Sequence, residues 1–155
     1  MEIRTYTDIA APPERVWAVL ADFAGYERWN PVFRRMTGRC EPGAAIRFVV
    51  AGGPAAVPIT AEIVVVEPGR ELRWVGPAQR WLRRVALGSH WFRLEPTEHG
   101  TRLEHGETFR GAAIPARWPR FERWLGGQYA RVNDALRREA EAATGAAPGA
   151  RGVTA

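Results

Sequence analysis

The chain has 155 residues, a length that suits one domain burying roughly 70% of the surface its unfolded chain exposes, so it can hold a core without staples. Its net charge of +5 comes from 22 basic residues, every one an arginine, against 17 acidic ones; with no lysine present, Schiff-base chemistry on a side-chain amine is excluded. The single cysteine, Cys40, cannot form an internal disulfide, and arginines and glutamates interrupt every apolar run before the roughly 20 residues a membrane-spanning helix needs.

The first residues alternate polar and apolar with no charged-then-apolar leader, which predicts a reducing, cytoplasmic setting. Arginines are spread along the chain among glutamates rather than gathered in a stripe, so nucleic acid is not an expected partner. Glu2 to Ile9 reads as a strand, with Ile3, Thr5, Thr7 and Ile9 on one side. Pro12 and Pro13 open a helix to about Phe23, carried by Val16, Trp17 and Leu20. Gly25 breaks it, and Tyr26 to Pro31 predicts a short second helix closed by the Asn30–Pro31 pair.

The period then changes to strands at Phe33 to Gly38, Ala45 to Val50, Val57 to Val66, Glu71 to Val75, Val85 to Glu95 and Thr101 to Arg110. The gaps are too short for crossover helices, so neighbours must pair as antiparallel hairpins in a meander. Pro115 opens a last helix to about Thr144, with Trp118, Phe121, Leu125, Gln128, Val132 and Leu136 making one apolar stripe that must lie against the sheet. The domain is expected over residues 1–144, and the Ala-, Gly- and Pro-rich tail over 145–155 as a flexible segment. A wide curved sheet and one helix cannot meet along their whole length, which predicts an apolar cavity between them. Gly126 and Gly127 inside the helix would leave space beside it or permit close backbone packing.

The run Ala11-Pro-Pro-Glu-Arg-Val-Trp-Ala-Val-Leu-Ala-Asp-Phe23, followed by Tyr26-Glu-Arg-Trp-Asn-Pro31, resembles the opening of the START-like (SRPBCC) superfamily, which includes polyketide cyclases/dehydrases and Bet v 1-like proteins. His90-Trp-Phe-Arg-Leu-Glu-Pro-Thr97 and Gly100-Thr-Arg-Leu-Glu-His-Gly-Glu-Thr-Phe-Arg-Gly111 resemble its last two strands, and the likeness spans residues 1 to about 144. It implies an α+β helix-grip fold: a seven-stranded curved antiparallel sheet wrapped around a long C-terminal helix, with two short helices after the first strand. It also implies a lipophilic pocket, without implying one activity.

Alternation carries His105, Glu107 and Phe109 inward with Leu103, and His90 and Phe92 inward on the preceding strand. Burial would raise the pKa of Glu107 and lower that of each histidine, which makes the three candidate acid–base groups; the structural alternative has Glu107 accept from a histidine or arginine and fix strand register, with His105 nearer the rim. A metal site built from them is not diagnostic by spacing, and neither metal nor cofactor is expected. Ser89, the only serine, points away from His90, and no phosphate-cradling glycine motif is present, so serine-triad and nucleotide chemistry find no support. Trp17, Ile46, Phe48, Leu72 and Trp74 are expected to line the interior, and Trp91 to face away. Trp118, Phe121, Leu125, Gln128, Tyr129 and Val132 are expected to form the lid, with Gln128 and Tyr129 orienting a polar end of the guest.

The leading expectation is a binding protein for a small lipid- or polyketide-like molecule. The alternatives are a polyketide cyclase/dehydratase-type enzyme using the same acid–base groups, or a regulator that binds another protein. A monomer or homodimer is expected, and the Arg117, Arg120 and Arg123 ladder beside aromatic residues could touch a membrane surface transiently.

Overall fold

The computed structural model describes residues 1–53, 55–84, 87–111 and 118–142, so the helix start predicted at Pro115 and the tail from Gly145 lie outside the described residues. The elements are β1 Glu2–Ile9, α1 Pro13–Ala21, α2 Tyr26–Trp29, β2 Phe33–Thr37, β3 Ala45–Val50, β4 Val57–Glu67, β5 Glu71–Gly76, β6 Leu87–Thr97, β7 Gly100–Arg110 and α3 Trp118–Ala142. The strands form one antiparallel sheet of seven in the order β1-β7-β6-β5-β4-β3-β2. Consecutive strands pair as hairpins from β2 to β7, and β1 returns to the free edge of β7. This is the helix-grip arrangement that the resemblance implied.

Local chemistry explains where the boundaries differ from expectation. Helix α1 stops at Ala21 rather than Phe23 because Asp22 leaves the helical region, at ψ 77°, and its carboxylate accepts from the Gly25 N–H at 3.1 Å. That cap starts a 3₁₀ turn over Phe23–Gly25, which feeds α2. Asn30, extended before Pro31, accepts from the backbone N–H groups of Val32 (2.9 Å) and Phe33 (2.8 Å), and so aims the chain into β2. A second 3₁₀ turn, Arg80–Arg84, has no periodic signal and was not expected; Arg83 steadies it by donating to Glu62 at 2.7 Å and to the Pro77 carbonyl at 2.8 Å.

The core lies between the inner face of the sheet, the first helices and α3. Tyr26, Val16 and Leu20 are fully covered from the α1–α2 side, as are Ile46, Ile63, Leu72 and Leu103 from the sheet. On α3 the buried stripe begins at Leu125 and continues through Tyr129, Val132, Leu136 and Ala140. Phe121, expected in that stripe, is 39% exposed and instead meets Phe109 edge to face and Trp124 at a tilt.

Trp91 faces away from the core, as alternation requires, yet is only 4% exposed. The guanidinium groups of Arg4, Arg73 and Arg93 stand 5.3 to 5.8 Å from its ring, and its indole N–H donates to Glu104 at 2.8 Å. Its ring rests where a Gly106 side chain would be, since a Cβ there would come within 2.5 Å of Trp91.

Candidate functional site

Strand register brings the inward polar residues together. His90 on β6 pairs with Trp74 on β5 and with Glu107 on β7, while His105 pairs with Phe92 on one side and Thr5 on the other. Helix α3 crosses above them and contributes Tyr129 and Asn133, four residues apart and therefore on one face. The result is a continuous buried network. The Tyr129 hydroxyl is bonded to the Glu107 carboxyl and lies 3.2 Å from His90 Nδ1. His90 Nε2 lies 3.1 Å from His105 Nε2, and His105 Nδ1 lies 2.6 Å from the Asn133 oxygen. The Asn133 amide donates to Thr5 Oγ1 at 3.0 Å, and Thr5 in turn donates to the His105 carbonyl at 3.0 Å.

Aromatic rings hold these groups in place. Trp74 stacks on His90 at 4.3 Å with 10° between the planes, and His105 is sandwiched between Phe92 at 4.3 Å and Tyr129 at 4.1 Å. Phe33 closes edge-on over His90 at 5.2 Å. At this level the expected hollow is occupied by rings in mutual contact. Alternation assigns side chains to a face but says nothing of how far apart sheet and helix stand.

Burial also sets the charge. His90 is held down to about 3, and His105 is lowered by burial and by its neighbour His90, so both imidazoles are neutral. Burial raises Glu107 to about 7, opposed in part by its hydrogen bond with Tyr129, while Tyr129 itself is pushed upward by burial and by the carboxyl beside it. Because the folded pKa of Glu107 is raised, the fold prefers its protonated form. Stability from this group is full below its ordinary 4.5 and is lost as pH climbs through about 7. Glu107→Gln is therefore expected to match the wild type near pH 4 and to exceed it by roughly 3 kcal/mol near pH 8.5. Urea denaturation at the two pH values measures the difference, and a variant weaker at the higher pH would contradict it.

The remaining predicted residues fall into distinct places. Ile46, Phe48, Leu72 and Val132 are buried core, and Trp17 packs half-buried on the α1 side. Leu125 is buried, whereas the Trp118 side chain lies outside the described residues. Gln128, expected to orient a guest, has its oxygen taken by Arg131 at 3.0 Å and lies so close to Gly52 of the β3–β4 loop that any side chain there would strike it. Phe109, Phe121 and Trp124 form a rim beside that loop, where the Trp124 ring approaches Gly53 and its N–H points to the Gly52 carbonyl at 3.4 Å. A methyl group built on Gly126 or Gly127 would meet no atom of another described element within 4 Å, so among the described residues no neighbouring backbone packs closely against these glycines.

Three contributors escaped the sequence reading: Asn133, Thr5 and Gly88. Asn133 follows Tyr129 by four residues and Thr5 alternates with Ile3 and Ile9, which places each on a face but does not bring the two together. Gly88 gives room to the carboxyl, since a Cβ there would stand 2.3 Å from Glu107 Oε1.

Two clefts open elsewhere. One of about 520 Å³ lies between Asp8, His99, Arg102, Arg137 and Glu141, and another of about 380 Å³ lies over Trp91 and its arginines on the outer face. Neither is lined by the buried network. No helix among the described residues is long and apolar enough to cross a membrane.

Residues 1–141 match the model of a family described as polyketide cyclase/dehydrase and lipid transport. Among solved structures, a protein from Thermus thermophilus is similar at 18% identity and a TM-score of 0.75, over 93% of this chain and 99% of that one. The Zhui aromatase/cyclase from Streptomyces sp. R1128 is similar at 20% identity and a TM-score of 0.74, over 96% and 98%. Ara h 8.0201 is similar at 11% identity and a TM-score of 0.70, over 92% and 98%. At these identities the likeness establishes the fold. No curated protein matches the chain.

Proposed function

Because the chain belongs to the polyketide cyclase/dehydrase and lipid transport family, we propose that it takes up a small, largely hydrophobic molecule between sheet and α3, and that Glu107 holds the polar end. The observation that carries this reading is the Glu107 carboxyl itself. It sits on the inner face over Gly88, keeps 18% of its side chain exposed and adjoins the apolar rim at Phe109. A ligand enters where Phe109, Phe121 and Trp124 meet Gly52 and Gly53, and its apolar body parts the rim rings, Phe109 and Phe121 in edge-to-face and Phe121 and Trp124 in tilted contact.

A second reading, an enzyme of the cyclase or dehydratase kind, is favoured by a specific feature. Glu107 titrates near neutrality and is bonded to a phenol that also reaches His90, so the wall can give or take a proton at working pH. In either case the cytoplasm is the proposed compartment, following from the lone cysteine.

Native mass spectrometry of protein isolated from its own host tests the uptake. The expected spectrum carries a retained lipophilic compound that departs on denaturation. Absence of any such mass, together with failure of the folded protein to bind an environment-sensitive apolar dye, would overturn the reading.

A further inference from the structure

The buried network has a direction, and it is fixed from its inner end. The His105 backbone carbonyl can only accept, so the Thr5 hydroxyl spends its proton there and must accept from Asn133. The Asn133 nitrogen therefore faces Thr5 and its oxygen faces His105, which obliges His105 to carry hydrogen on Nδ1. A neutral His105 then offers a bare Nε2, and the neighbouring His90 must supply the hydrogen from its own Nε2. His90 Nδ1 is left as an acceptor for the Tyr129 hydroxyl. Tyr129 has one proton to give, so once it points to His90 the bond to Glu107 is satisfied only by a protonated carboxyl donating to the phenol oxygen. Turning the Asn133 amide over would break the chain at its first link.

Resting on the uptake reading above, we infer that Asn133 is a positioning residue that sets the polarity of the site, so that Glu107 Oε1 meets the ligand as an acceptor and selects a hydroxyl-bearing guest. Every donor in the chain points inward, away from the rim. What remains at the outer end is the carbonyl oxygen of the Glu107 acid over Gly88, to which no donor among the described residues is bonded. An alcohol, phenol or enol completes the series by donating to Oε1. An ether or ketone of the same shape presents a lone pair to a lone pair, and a carboxylate adds a charge to an uncharged wall. The bonds polarise one another in the same sense, which strengthens the terminal acceptor.

Two measurements test this on the intact chain at about pH 6, where Glu107 is protonated. Long-range nitrogen–proton NMR of the imidazoles should find opposite tautomers, hydrogen on Nδ1 of His105 and on Nε2 of His90; the same tautomer at both, or an imidazolium at either, overturns the polarity. Calorimetry with 2-naphthol, 2-methoxynaphthalene and 2-naphthoate should find the naphthol bound about tenfold or more tightly than the other two. Asn133→Asp supplies only acceptors and favours a charged His105, which then donates from Nε2 and reverses each link outward. Its Glu107 hydroxyl points to the ligand, and the preference should shift to the methoxy compound. Equal binding of the naphthol and its ether by the wild type sinks the polarity alone, whereas binding of none of the three also removes the uptake reading. Should the Asp variant fail to fold, the tautomers and the wild-type series still decide the matter.

Discussion

Replacing Phe92 with alanine is expected to lower the unfolding free energy by about 3–5 kcal/mol and the melting temperature by roughly 10 °C. Phe92 has no exposed surface, stacks on His105 at 4.3 Å, and stands 5.1 Å from His90 and 5.7 Å from Trp74. It comes from the middle of the sheet, where the strands on either side cannot close in without losing their ladders. The loss therefore combines transfer of a large apolar ring with the void it leaves. Thermal and urea denaturation measure it. A cost below about 1 kcal/mol would mean that the rings are loosely packed and that the interior is more open than it stands here. The same variant should gain affinity for a benzene-sized guest, because an apolar void of that kind stays dry until something fills it.

The second large effect concerns chemistry. If a substrate is turned over, Glu107→Gln is expected to reduce kcat by 10²–10⁴-fold, the usual contribution of a positioned acid or base, while leaving affinity within about tenfold. Glutamine keeps the shape and polarity of the protonated acid: its amide N–H can donate to the Tyr129 oxygen and its carbonyl can stand over Gly88. What it lacks is a transferable proton. Undiminished turnover would place the reacting atom elsewhere and remove Glu107 from the acid–base role; weakened affinity with unchanged kcat would confine Glu107 to holding the ligand.

Much of this was legible in the residues. Period-two alternation was enough to turn His90, His105, Glu107 and Trp74 toward one side and Trp91 toward the other, because a pleated strand offers only two faces. Which histidine meets which partner depends on register. The tight hairpin joining Thr97 to Gly100, opposite each other across Glu98 and His99, fixes every pairing along β6 and β7, so the His90–Glu107 and Phe92–His105 neighbours follow from one turn. Asn133 was hidden for a different reason. It sits beside Val132 in an amphipathic pattern where a polar residue usually marks the wet side, and only the rotation of α3 against β1 brings it over Thr5. Gln128 shows the converse: it lies on the stripe as its helical spacing placed it, while Arg131, three residues on, donates to its side-chain oxygen beside Gly52. Depth, finally, is a property of how far apart two layers come to rest, and no count of inward side chains reports it.

The return of β1 to the edge of β7, with Glu2 opposite Thr108, bears on how the molecule is made. On a ribosome adding residues one by one, the first strand emerges with nothing to bind and waits on the order of ten seconds for its partner. Thr5 arrives at the start of that interval, His105 late in it, and Asn133 later still. Nascent chains that stall before the last helix would lack Asn133 and Tyr129, the partners of His105 and Glu107, and would leave the apolar inner face of the sheet open to water, so they should be the forms that chaperones and proteases meet.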